Sequence, residues 1–153
     1  IMFIAKEDLP YDADLQTIIL NTEIAAGIEI PEARYKDWFP NFTLGDLICD
    51  DTATGLIVVG NKVDPLDIDA FAHVQLNLYK DEELIATGDS SEVLGNPLNA
   101  VLWLIKKLHS HGKQIKKGQV ISSGTFISPL KLEYGTYRAE YSGIGTVEFK
   151  VSK

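Results

Sequence analysis

Cysteine is almost missing from this sequence: Cys49 is the only one in 153 residues. One thiol makes no internal disulfide, and no Cys-x-x-Cys or Cys/His zinc spacing occurs, which excludes a disulfide scaffold and leads us to expect a reducing, cytoplasmic setting. Basic charge is short as well. Fourteen Lys and Arg stand against 22 Asp and Glu, a formal charge of −8, and no basic stripe is interleaved with aromatics. Such a surface has little to offer a phosphate backbone, so nucleic acid is not an expected partner. Long apolar runs are lacking too: none approaches the roughly 20 residues of a membrane-spanning helix. The first residues carry no basic region followed by an apolar core and a cleavage site, so neither membrane insertion nor export is expected. Internal repeats, low-complexity tracts and an interdomain linker are absent, and we read 1–153 as one domain.

What is there suits a packed core, with 45% hydrophobic and 24% charged residues. "IMFIA" opens at Ile1 without a polar lead-in, a turn residue or an initiating Met, and reads as a strand cut into partway. "KEDLP" turns the chain, and Asp12 and Asp14 precede Leu15, Ile18, Ile19 and Thr22, a short amphipathic helix with acids at its positive end. "DWFPNFTLGD" has the composition of a loop. "LICDDTATGLIVVG" reads as two strand segments interrupted at Asp50–Thr54, and "NKVDPLDID" as a turn. Val74, Leu76 and Leu78 alternate with His73, Gln75, Asn77 and Tyr79 in a half-buried strand, which "KDEE" returns to "LIATGD" as a hairpin. The long helix begins at "GNPLN", with Asn96 as cap, Pro97 in the first turn, a stripe of Leu98, Val101, Leu102, Ile105 and Leu108, and Gly112 past its end. "QVISSGT", "YRAEY" and "TVEFKV" are short strands between glycine turns at Gly118, Gly135, Gly143 and Gly145. Many strands and few helices predict an α+β fold.

"GIEIPEARYKDW" concentrates charge, setting Glu29, Glu32 and Asp37 around Arg34. Ile28 and Ile30 flank Glu29 in strand alternation, so its carboxylate points to the other face. A carboxylate in a fold's interior must be paired, protonated or bound to a metal. A plain ion pair with Arg34 or a lysine is the structural alternative. Arg34 itself either binds anionic groups through its planar fork or pairs with Glu32 or Asp37 at the surface.

"LGNPLNAVLWLIKKLHSHGKQIKKGQVISSGT", Leu94 to Thr125, followed by "YSGIGTVEFKV" and preceded by "IEIPEAR" and "DLICDDTATGLIVVG", closely resembles the C-terminal region of 2-keto-4-pentenoate hydratases. These belong to the fumarylacetoacetate hydrolase superfamily, with the 4-oxalocrotonate decarboxylases and 2-oxohept-3-ene-1,7-dioate hydratases. The resemblance spans essentially the whole chain. It implies a mixed β-roll with flanking helices, a Mg²⁺ or Mn²⁺ ion held by three carboxylates, and a part in aromatic catabolism as a cytoplasmic homo-oligomer. In the family a Glu-x-Glu pair supplies two ligands and a glutamate five residues before an arginine the third. Glu29 and Arg34 match the last element. The Glu-x-Glu pair normally sits immediately before a strand like "IMFIA", so the resemblance puts it and the family's catalytic acid and base groups upstream of Ile1, in a protein roughly a hundred residues longer.

The resemblance also marks Asp50 and Asp51, where hydratases show Asp-Asn followed by a small residue and a serine that reaches substrate. Here the serine position is Ala53, between Thr52 and Thr54. Gly124 and Thr125 match the family's glycine-threonine turn at the substrate, with a plain strand-ending turn as the alternative. The implied substrate is a short 2-oxo or 2-hydroxy carboxylate that chelates a hard cation. The implied reaction is hydration of a dienoate, the alternatives being decarboxylation of a 2-oxo acid and a non-catalytic subunit acting in assembly. His109 and His111 stand two apart at a helix end and are read as structural, His73 as solvent-facing, and Cys49 as a small packed residue.

Overall fold

The computed structural model describes residues 1–32, 34–36 and 41–153. Asp37, and with it the first part of the loop expected over 37–46, lies outside the described residues. Among the described residues eight strands form two four-stranded sheets. In the first, β1 (Met2–Ala5) lies between β2 (Thr22–Ile30) and β6 (Val120–Ser122), and β3 (Leu56–Val63) flanks β2. In the second, β4 (Gln75–Lys80) lies between β5 (Glu83–Asp89) and β7 (Gly135–Tyr141), with β8 (Gly145–Val151) beyond β7. The helix-plus-sheet content is as expected. Every strand pairing among the described residues is antiparallel, where the resemblance implied a mixed sheet.

The first strand is central rather than exposed. Phe3 and Ala5 face the main core with Ile24, Phe71, Leu98, Val101, Ile105 and Tyr141, while Met2 and Ile4 close a smaller cluster with Ala25 on the other face. Helix α1 (Leu15–Leu20) starts where Asp14 accepts from the Thr17 N–H at 2.7 Å. It ends before Thr22, which was expected inside it; the buried Thr22 hydroxyl donates to the Ile18 carbonyl, and the β-branched Thr22 opens β2.

Leu44–Cys49 is helix α2, where Leu44–Asp46 were expected in a loop and Leu47–Cys49 in a strand. Thr43 and Asp46 form a capping box, each side chain bonding the other's backbone N–H. No residue of α2 is buried, and Cys49 is exposed rather than packed. A short 3-10 turn, Asp51–Ala53, follows. Two further 3-10 turns, Ala70–His73 and Ser90–Glu92, bracket the β4–β5 hairpin. Helix α3 (Pro97–His109) begins as predicted: Asn96 accepts from Leu98 N–H at 2.9 Å and donates from its amide to Ile68 O at 2.8 Å. Leu98, Val101 and Ile105 are buried, with Leu102 and Leu108 packed against them. His73 is exposed, and His109 stacks on Tyr11 with ring centroids 4.2 Å apart.

Candidate functional site at one end of the first sheet

Antiparallel pairing decides which segments meet. Ile30 at the end of β2 pairs with Leu56 at the start of β3, and Met2 at the start of β1 pairs with both Ala25 of β2 and Ser122 at the end of β6. The end of β2, the start of β3, the start of β1 and the end of β6 therefore share one end of the sheet. Glu29, Arg34, Asp50, Asp51, Gly124 and Thr125 all belong to these segments or to the loops leaving them. Their convergence there is not apparent from their spacing along the chain.

Glu29 pairs across the ladder with Ile57 and is exposed, not turned into the interior as its alternation led us to expect. Among the described residues it makes no hydrogen bond and no ion pair. Its charge nonetheless reaches one buried group, the phenol of Tyr141. The Tyr141 phenol is pushed up to about 12, first by burial and then by Glu29. It donates to the Gly27 carbonyl at 2.7 Å.

Arg34 is a clamp on the segment between α2 and β3. Its Nη1 donates to Asp50 Oδ1 at 2.9 Å and its Nη2 to the Thr54 carbonyl at 2.7 Å. Asp50 is thus its ion-pair partner, and Glu32 acts on it only electrostatically. The hydrogen bond it donates to Asp50 raises the Arg34 pKa above its ordinary value. The Asp50 side chain is 10% exposed, and its Oδ2 is buried without a partner. Asp51, Thr52 and Ala53 all take positive φ, 55 to 57°, a left-handed turn strained for residues with a Cβ. The Glu32 N–H donates to the Ala53 carbonyl at 2.9 Å, tying that turn to the end of β2. Ala53 is buried and brings no hydroxyl.

On the other side of β1, the Ser123 N–H donates to Ile1 O at 3.1 Å, and Gly124 has φ +117°, a conformation that favours glycine. The Thr125 hydroxyl is engaged locally, donating to Ile127 O at 2.8 Å, and the neighbouring Ser123 hydroxyl is buried without a partner. Sequence reasoning missed Tyr141 and Ser123. Alternation in "YRAEY" marks Tyr141 as buried but not the carbonyl it reaches. Two open depressions, of about 330 and 420 Å³, lie along the second sheet and touch none of the sequence-predicted residues. Among the described residues no three His, Cys, Asp or Glu side chains lie close enough to hold a metal together.

No family model matches the chain. Individual relatives do. A 2-keto-4-pentenoate hydratase of Paraburkholderia phymatum is 32% identical over 130 residues, 84% of this chain and 48% of that protein. One of Burkholderia vietnamiensis is 33% identical over 124 residues, 80% and 46% of the two. A 2-hydroxyhexa-2,4-dienoate hydratase of Comamonas testosteroni is 32% identical over 133 residues, 85% and 49%. The chain spans about half the length of the curated relatives it matches. Among solved structures, 4-oxalocrotonate decarboxylase from Pseudomonas putida G7, complexed with calcium and acetate, matches with a TM-score of 0.79 at 21% identity, over 96% of this chain and 56% of that one. A fumarylacetoacetate isomerase/hydrolase candidate from Oleispira antarctica gives 0.65 at 14% identity, over 99% and 68%. At such identities the structures speak for the fold, which is of the fumarylacetoacetate hydrolase type. Over the residues matched, this chain belongs to the 2-keto-4-pentenoate hydratase family.

Proposed function

We propose that the protein containing these residues is a divalent-metal-dependent hydratase that adds water to a short 2-hydroxy or 2-oxo dienoate. The carrying observation is Glu29: a carboxylate that has no hydrogen bond or ion pair among the described residues, at the sheet end to which the other candidate residues converge. The β1–β2 register supports it. Met2 faces Ala25 and Phe3 faces Ile24, so each step back along β1 is a step forward along β2. A residue immediately ahead of Ile1 would face Gly27, and one two further upstream would face Glu29. A Glu-x-Glu at those positions would put three carboxylates on one face.

The residues present fit a hard cation. Among the described residues nothing engages either Glu29 oxygen, and oxygen donors suit Mg²⁺ or Mn²⁺. Glu29 would hold the ion with ligands from outside this sequence, and the bound ion would polarise the substrate's oxygens as a Lewis acid. Arg34 keeps a positive charge at this end of the sheet while fixing Asp50 and Thr54. Gly124 lets the backbone take a course open to few other residues, with Thr125 closing the turn beside it. The roll-like closure of the two sheets belongs to the same reading and is supported by β3 and β8, where a Cβ on Gly60 would lie 3.0 Å from the Thr146 carbonyl. Cytoplasmic location and homo-oligomer assembly are also part of it. Exposed Leu44, Ile48, Leu56 and Ile57 support assembly, in place of the first strand, which is buried.

In the full-length protein, Glu29→Gln should lower Mg²⁺-dependent consumption of 2-hydroxypenta-2,4-dienoate on the order of 100-fold or more and weaken Mn²⁺ binding, with an unchanged circular dichroism spectrum. Unchanged turnover and Mn²⁺ affinity would overturn the assignment. The match to a decarboxylase structure favours a second reading, in which carbon dioxide is released from a 2-oxo dicarboxylate; product analysis separates the two. Buried Ala53, lacking a hydroxyl, favours a non-catalytic subunit, which turnover by the full-length protein would exclude.

A further inference from the structure

We propose that Tyr141 is a positioning residue for Glu29, acting through the Gly27 carbonyl. This rests on the reading of Glu29 as a metal ligand. Tyr141 ends β7 in the second sheet, yet its hydroxyl donates at 2.7 Å to a backbone carbonyl of β2 in the first. The bond is buried and links the two sheets at the point where the β2–β3 ladder slips. Ala25 pairs with Lys62 but Gly27 with Val59, so two steps along β2 answer three along β3. Such a bulge leaves the strand free to bend unless something else holds it. Three contacts do so. The phenol takes the Gly27 carbonyl, Met2 lies over Gly27 where a Cβ would come within 2.3 Å of its Cγ, and Phe126 packs edge-on against the Tyr141 ring with centroids 5.7 Å apart. Glu29 leaves the strand two residues later, on the same face as Gly27.

A carboxylate at the end of a strand points only as well as the strand is held. Loss of the phenol oxygen would remove a buried hydrogen bond from the Gly27 carbonyl at the bulge and loosen the segment carrying Glu29. A purely structural role would appear only in thermal stability. A positioning role appears in metal affinity, because ligand geometry depends on the groups that orient the ligands.

The test is Mn²⁺ binding to the full-length protein, measured by calorimetry on Tyr141→Phe beside wild type, Glu29→Gln and Tyr137→Phe. Tyr137 is a matched control: it lies buried on the same strand, and its hydroxyl accepts from the Glu133 N–H at 3.0 Å. Tyr141→Phe should weaken Mn²⁺ binding roughly tenfold, while Tyr137→Phe leaves it unchanged. Unchanged affinity in Tyr141→Phe, or an equal loss in both phenylalanine variants, overturns the proposal. If Glu29→Gln binds Mn²⁺ like wild type, the ligand reading itself fails and this inference with it.

Discussion

Gly27 has no room for a side chain. A methyl group there would meet Met2 Cγ at 2.3 Å and Cε at 2.6 Å, in a place closed by Ala25 and Ile4. Gly27→Ala should cost about 1–3 kcal/mol in urea unfolding, the usual range for overpacking. Met2→Ala in the same chain should recover part of the loss, because the clash is with one flexible side chain. Tyr141 gives a pH test at this scale. Its folded pKa, about 12, lies above the ordinary value of 10.0, so the stability it contributes is complete below pH 10 and is lost as pH rises toward 12. Between those limits wild type should lose about 1.4 kcal/mol per pH unit more than Tyr141→Phe, measured by urea unfolding at each pH. Glu29 stood out in the sequence because its neighbours are apolar. Arg34's partner did not: Asp50 is 16 residues away, and nothing in local spacing favours it over the nearer Glu32.

Helix α2 shows where pattern and chemistry disagree. Leu47, Ile48 and Cys49 suggested a strand, but Thr43 and Asp46 stand three apart as a capping box, and that signal describes the segment better. The helix has only six residues and buries none of them, so its cap matters more than its packing. Thr43→Ala should lower local helix stability by about 0.5–2 kcal/mol. Proteolytic cleavage in Leu44–Asp50 should then quicken while the global melting temperature stays put. Helix α3 and the β4–β5 hairpin were legible because their signals agree: a capping Asn, a first-turn Pro and a 3.6-residue stripe in one, period-two alternation and an acidic turn in the other.

At the scale of the whole molecule, the candidate site depends on pairings that no local pattern records. β1 joins β6 across more than a hundred residues, and that pairing brings the Gly124–Thr125 turn to the end of the sheet that holds Glu29. Charge acts at this scale too. Asp8 is held below its ordinary pKa by a hydrogen bond from Lys116, Asp14 by Thr17, Asp46 by Thr43, Asp89 by Ser91 and Glu133 by Lys80. Their folded values lie below 3.8 for the aspartates and 4.5 for Glu133, so their contribution is complete above those values and is lost as pH falls through the folded ones. The urea midpoint should therefore hold from neutral pH to about 5 and fall below it, with a smaller fall in high salt because all five are at the surface.

The double burial of β1 has a kinetic consequence. Its amides are flanked by β2 and β6 and covered on both faces, so exchange with deuterated solvent there requires opening of the whole sheet, whereas α2, which buries nothing, exchanges by local fraying. The residues gathered at the end of this sheet thus lie between a strand expected to exchange slowly and a helix expected to exchange fast. Mass spectrometry of deuterium uptake would see Leu44–Cys49 open many times while Met2–Ala5 stays closed.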